Sequence, residues 1–318
     1  MRRGNGRGGS LIKRRIRCRV EYVGAAYAGF QGQPGKVTVQ STLEQAIFAV
    51  TQEDVRVVGS GRTDAGAHAL GQVVAFDTAR DLPCDTLLHA LNAHLPEDVR
   101  VVVCEEATPT FNPRHDALSR TYRYVIWNRP THSPFLLGRA ALVRKPLDET
   151  TMHLALQTLV GPCDVSAFVP VSTEGSRTRT IFDASCRRDG HLVMVEVTAS
   201  GFMKQMMRAL VGTLVTVGTG RLAISEFLHI VQSGDRSLAG TTAPACGLYL
   251  VEVSYDEHSQ TGSVAENGTF PCGSYEVAGP VEQPVAPLSG PQRATQELSE
   301  RIAGLVSLPA ADRHEEMR

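Results

Sequence analysis

The 318-residue sequence has no apolar run near the roughly 20 residues that a membrane-spanning helix needs. Its longest nearly apolar stretch is Ala209 to Gly218. Arg2, Arg3 and Arg7 open the chain, but no apolar stretch follows them, so no secretory signal is expected. No Cys-x-x-Cys pair occurs, which removes zinc-ribbon and thioredoxin-type chemistry. The seven cysteines (Cys18, Cys84, Cys104, Cys163, Cys186, Cys246, Cys272) are odd in number and widely spaced. That pattern suits a reduced, cytoplasmic compartment better than a disulfide framework. Gly-Lys-Ser/Thr does not follow the one Gly-rich loop, so a Walker phosphate cradle is excluded.

What is present is a chain able to build a sizeable core, 42% hydrophobic and 20% charged. Its net charge of −1 hides an asymmetry. Residues 1–256 carry 28 Lys and Arg against 24 Asp and Glu, whereas residues 257–318 carry 4 against 9. The first nineteen residues hold eight basic side chains and no acid. A basic body with a basic arm permits a polyanionic partner, and equally permits a merely solubilising arm.

Arg15 to Val23 alternates strictly, with Ile16, Cys18, Val20 and Tyr22 on one face, which predicts a half-buried strand. Ser41 and Glu44 fit a capping box ahead of Leu43, Ala46, Ile47 and Val50 at helical spacing. Val55–Gly59 and Gln72–Asp77 read as strands around a Gly-rich loop. Leu87, Leu88, Leu91 and Leu95 mark a second helix, and Val99–Cys104 another strand. The order β-α-β-β-α-β predicts a ferredoxin-like lobe over residues 14–114, a mostly antiparallel sheet with helices on one side.

Residues 115–256 repeat the order. Tyr122–Trp127 reads as a strand, and Met152, Ala155, Leu156 and Leu159 as a helix face. Arg179–Arg187 and Leu192–Thr198 read as a hairpin turned at Asp189-Gly190. Met203, Met206, Met207, Leu210 and Leu214 stripe a further helix, a shorter one runs near Ser225–Val231, and Leu248–Tyr255 closes the unit. The expected fold is therefore α+β, two such lobes sharing one sheet with a cleft between them. Residues 1–13 are expected to be a disordered basic arm. Residues 257–318, rich in Gly, Pro, Ser and Glu, are expected to be a mostly disordered acidic tail with at most a short helix over Ala294–Leu305.

The loop Gly59-Ser60-Gly61-Arg62-Thr63-Asp64-Ala65-Gly66-Ala67-His68 presents one Asp and one Arg among glycines that allow close approach of a ligand. A tight turn capped by its Asp is the plainer reading. His68 has no His or Cys at ligand spacing, and His89 and His94 are five apart, so no metal site is expected. Arg120, Tyr122, Arg123 and Tyr124 put Arg beside aromatics on one strand, a composition suited to stacking bases and neutralising phosphate. Half-buried core is the alternative for the tyrosines. Lys204 and Arg208, four apart, share a helix side away from the Met stripe; they form either a solvated basic face or an arm to a buried carboxylate.

The run GSGRTDAGAHALGQVVAFDT closely resembles the catalytic motif of TruA-type tRNA pseudouridine synthases. VEYVGAAYAGFQGQ at 20–33, TVQSTLEQAI at 38–47, FNPRHDALSRTYRYVIWN at 111–128, GFMKQMMRALVGTLVTVG at 201–218 and APACGLYLVEVSY at 243–255 follow in matching order. The resemblance implies two ferredoxin-like lobes, a homodimer without metal or organic cofactor, and isomerisation of uridine at positions 38, 39 and 40 of the tRNA anticodon stem-loop. It implies Asp64 as the catalytic aspartate, Arg62 as the arginine of base flipping, Tyr122 as the active-site tyrosine and Arg208 as the partner of the aspartate. Arg123 and Lys204 join Arg62 and Tyr122 as candidates for holding the RNA. FMKQMMR departs from the Asn-containing start frequent in relatives. A synthase acting on other RNA positions and a catalytically silent RNA-binding relative remain the alternatives. A hydrolase built on Asp64 and His68 lacks ligand partners.

Overall fold

The computed structural model describes residues 13–256. The arm up to residue 12 and the tail from residue 257, with its expected short helix, lie outside the described residues. Among the described residues ten strands and five α-helices run in the order β1 (Arg14–Tyr22), α1 (Val39–Thr51), β2 (Val58–Gly59), β3 (His68–Thr78), α2 (Cys84–His94), β4 (Val99–Ala107), β5 (Ala117–Asn128), β6 (Ala141–Val143), α3 (Glu149–Gln157), β7 (Gly161–Asp164), β8 (Thr178–Asp189), β9 (Leu192–Ala199), α4 (Met206–Gly218), α5 (Ile224–Ser233) and β10 (Leu248–Tyr255). All ten strands join one sheet in the order β4-β1-β3-β10-β5-β9-β8-β7, with β2 on β3 and β6 on β5.

The expected α+β class is what the structure has. In the first half the first, third and fourth strands run β4-β1-β3, and β2 flanks β3. In the second half β10-β5-β9-β8 gives the same 4-1-3-2 order, which is the ferredoxin-like arrangement. Pairing is antiparallel except where β6 joins β5 and where the halves meet: β10 lies parallel to β3, Tyr249 beside His68 and Leu250 beside Ala69. That short junction carries the end of β3 next to the Gly-rich loop against the second half.

Local chemistry sets the elements. Ile16, Cys18, Val20 and Tyr22 alternate into the core from β1 and are all buried. The helix cap falls one turn earlier than the sequence pattern suggested. Thr38 is extended and is the N-cap, its side chain accepting from the Ser41 N–H while the Ser41 hydroxyl accepts from the Thr38 N–H. Glu44 leaves the capping role and instead accepts from the Val57 N–H and the Gln40 amide. Asp148 caps α3 through the Thr151 N–H. The β8–β9 hairpin turns at Gly190-His191, because Asp189 still pairs with Leu192. A single core runs through both halves, from Ile16 and Phe76 to Tyr124, Phe168 and Leu214; each fully buried side chain of this size contributes roughly 1.5–3 kcal/mol.

Candidate active site

The Gly-rich loop is shorter than the sequence implied, since β3 begins at His68. Its first part hangs on Gln72, which is wholly buried. The Gln72 amide oxygen accepts from the Ser60 hydroxyl at 2.6 Å, and its nitrogen donates to the Gly61 carbonyl at 2.8 Å. The Thr63 hydroxyl pairs with that of Tyr22 at 2.7 Å. The segment from Gly24 to Phe30 straps the loop from the other side: Phe30 N–H donates to the Thr63 carbonyl and Gly66 N–H to that of Tyr27. Two glycines are required by this packing. Gly66 has φ +81°, and a Cβ on Gly24 would come within 1.8 Å of the Ala67 carbonyl oxygen. Asp64 therefore sits between residues fixed on either side.

From the second half, Arg208 in the first turn of α4 reaches this carboxylate. Its Nη1 donates to Asp64 Oδ2 at 2.7 Å, and its Nε donates to the Ala243 carbonyl at 2.7 Å. The guanidinium is thus anchored from behind and aimed at Asp64. About a fifth of each side chain remains exposed, 23% for Asp64 and 17% for Arg208. The pair closes a cleft of about 770 Å³, which Arg62, Tyr122 and Lys204 also line.

Tyr122 projects from β5 beside Asp64, with its ring edge-on to Phe202 at 4.6 Å between centroids. Burial raises its phenol well above the ordinary value near 10, with Tyr22 and then Asp64 adding to the rise and Arg120 opposing it, so the group stays protonated. Its hydroxyl lies 3.4 Å from where a Cβ on Gly61 would stand. A side chain there would crowd the cleft floor.

Of the six residues proposed from sequence, the structure gathers Arg62, Asp64, Tyr122, Lys204 and Arg208 around one cleft and leaves Arg123 out. Strand alternation turns Arg123 to the face opposite Tyr122. There it is 3% exposed, with Nε donating to Glu196 on β9 at 2.7 Å. Lys204 reaches the cleft for a different reason than expected. α4 begins only at Met206, so Lys204 and Arg208 do not share a helix face; Lys204 is exposed in the turn before Gln205, the left-handed N-cap at φ 60°. Sequence reasoning missed Phe202, the ring partner of Tyr122, and gave Arg120 no place in the cleft wall it helps to form. An aromatic beside the Gly at position 201 was the available signal for Phe202.

His68 is a buried structural residue. Its Nδ1 accepts from the Gly24 N–H at 3.0 Å, Nε2 donates to the Cys246 carbonyl at 3.2 Å, and its ring stacks on Tyr249. Among the described residues no group of three or more His, Cys, Asp or Glu could hold a metal ion, and no helix is long and apolar enough to cross a membrane.

The sequence profile of the tRNA pseudouridine synthase family matches residues 19–116 and 155–256. The tRNA pseudouridine synthase A of Pelobacter propionicus is 41% identical over 243 residues, covering 76% of this chain and 100% of that protein. That of Brevibacillus brevis is 42% identical over the same shares, and that of Exiguobacterium sibiricum 40% identical over 77% of this chain and 98% of its own. A solved Cbf5–Nop10–Gar1 complex overlays 74% of this chain and 48% of its own at 11% identity, with a TM-score of 0.32, too distant to carry any part of the reading. The matched residues run through both the loop that bears Asp64 and the helix that bears Arg208, across the whole length of relatives, and on that ground the chain belongs to the tRNA pseudouridine synthase family.

Proposed function

We propose that the chain isomerises uridine to pseudouridine in the anticodon stem-loop of tRNA, at positions 38, 39 and 40, with Asp64 as the catalytic group. The observation that carries the assignment is the Asp64–Arg208 pair, fixed from both sides yet open to the cleft. A carboxylate held by one guanidinium nitrogen at Oδ2 leaves its other oxygen free for the sugar.

The reaction breaks the C1′–N1 bond, turns the uracil and forms C1′–C5, while C5 loses its hydrogen and N1 gains one. Atoms and electrons balance within the nucleotide, so the stoichiometry calls for no oxidant, reductant or organic cofactor. Asp64 either adds to C1′ or takes a proton from C2′ to give a glycal. Arg208 balances its charge and holds its orientation. The uracil must leave the helical stack, and the Tyr122 ring, packed edge-on against Phe202, offers a surface for it. Arg62 and Lys204 are both exposed where they line the cleft, which supports Arg62 as the side chain that fills the vacated stack and Lys204 as a contact to the RNA backbone. Water must be kept from the detached base, since hydrolysis would otherwise compete. The protein works in the cytoplasm as a homodimer.

The test uses tRNA transcripts with tritium at uracil C5, where release occurs only when C5 becomes the glycosidic carbon. Release mapped to positions 38–40 is expected. Release confined to other positions would refute the positional assignment, and no release from any uridine would refute the reaction.

A further inference from the structure

The cleft wall contains an arginine, Arg120, that forms no ion pair with a carboxylate and whose two terminal nitrogens each donate to two backbone carbonyls. Arg120 Nη2 donates to the Ser60 carbonyl at 3.1 Å and to that of Arg114 at 2.6 Å. Its Nη1 donates to the carbonyls of Ala117 and Ser200, both at 3.3 Å. Four acceptors therefore come from three separate stretches of chain. Ser60 opens the loop that carries Asp64. Arg114 lies in the link between the halves and Ala117 opens β5. Ser200 directly follows β9, eight positions ahead of Arg208.

The geometry points to Arg120 as the positioning residue that sets the Asp64 loop against the segment leading to Arg208. Across the halves the loop is also met by Arg208 at Asp64 and by Tyr255 at Ser60, and within its own half it is pinned by Gln72 and Tyr22 at Ser60–Thr63 and by the Gly24–Phe30 strap. Arg120 joins the start of that loop to the residue after β9 through one rigid group. A planar guanidinium suits this role because its fork holds several acceptors at fixed angles, whereas an ammonium is a point donor on a flexible stem. Acceptors that are all neutral carbonyls also argue for geometry over charge neutralisation. Catalysis is sensitive to such placement, since a misplacement of about 1 Å costs on the order of a hundredfold. This inference rests on the proposed role of Asp64 and Arg208.

The experiment compares wild type with Arg120→Lys and Arg120→Met in the full chain. It reads single-turnover C5 tritium release at saturating tRNA, tRNA affinity, and amide hydrogen exchange over residues 60–67 and 201–205. A loss of about tenfold or more in the single-turnover rate is expected for both variants, with affinity held within about threefold. Exchange over both segments should be faster. If the lysine variant restores the rate, or if saturating tRNA restores it, Arg120 acts as a cation for RNA and the inference falls. Unchanged exchange overturns it as well. Exchange reads the loop independently of turnover, so an inert wild type would refute the proposed reaction while still testing this tie. Should Arg120→Met fail to fold, the lysine variant carries the comparison.

Discussion

At Asp64 the surroundings decide what a carboxylate can do. The residue before it is tied through Tyr22, and its Oδ2 is fixed by Arg208, so little conformational freedom is left to lose when substrate arrives. Arg123 shows the opposite case, an arginine of the same motif spent on structure. Buried beside Glu196, it leaves an uncompensated carboxylate when removed. Arg123→Gln should therefore destabilise the protein by about 3 kcal/mol, measured by urea unfolding, with the Glu196 side chain 20% exposed and the effect at the low end of the buried range. Turnover per folded molecule should stay near that of wild type; a variant that is stable but inert would return Arg123 to the site. The sequence could not separate these arginines, because Arg120 and Arg123 differ only in which face of β5 they occupy and what lies across the sheet. Asp64 stood out through the family resemblance, since glycines around one acid read by themselves as plainly as a capped tight turn.

Among the elements, the longer strands were placed but often begun late, the short β6 and β7 were missed, and helix starts were read poorly. Leu248–Tyr255 matches β10 at both ends, and the alternation of β1 shows in its burial. Apolar periodicity continues past a helix end without a break, which is why Met203 and Lys204 seemed to belong to α4. Likewise Ser41 and Glu44 have the spacing of a capping box, but Thr38 is the residue that adopts extended backbone ahead of the helix. The β3–β10 junction has a measurable signature through His68, which lies opposite Tyr249. Burial lowers the His68 pKa below its ordinary 6.5, and the nearby Arg139 charge adds to this. The unfolded chain then takes up a proton where the folded one does not. Stability from this group is full above about pH 6.5 and is lost as the pH falls below it, at no more than about 1.4 kcal/mol per unit. Urea midpoints between pH 7 and 5 should fall more steeply for wild type than for His68→Asn. Parallel slopes would show that His68 is not the group responsible.

On the scale of the whole molecule, the two halves share a strand order and one core, and the cleft draws the Asp64 loop from one and an arginine-bearing helix from the other. That partition was legible because each half repeats the same sequence of patterns. The parallel joint between β3 and β10 was not, since nothing in either strand names its neighbour. The relatives are matched over their full length by about three-quarters of this chain. A chain ending at Asp256 should accordingly fold and modify tRNA at near the full rate, measured by tritium release; an insoluble or inactive product would show that residues 257–318 serve the core. The account as a whole depends on one carboxylate. Asp64→Asn keeps the size and most hydrogen bonding of the side chain but removes the nucleophile or base, while phosphate contacts lie elsewhere. The decisive measurement is C5 tritium release by this variant alongside its tRNA affinity. Undiminished binding with no release at any pH is the predicted result. Release at a tenth of the wild-type rate or faster, a barrier change of only about 1.4 kcal/mol, would contradict it.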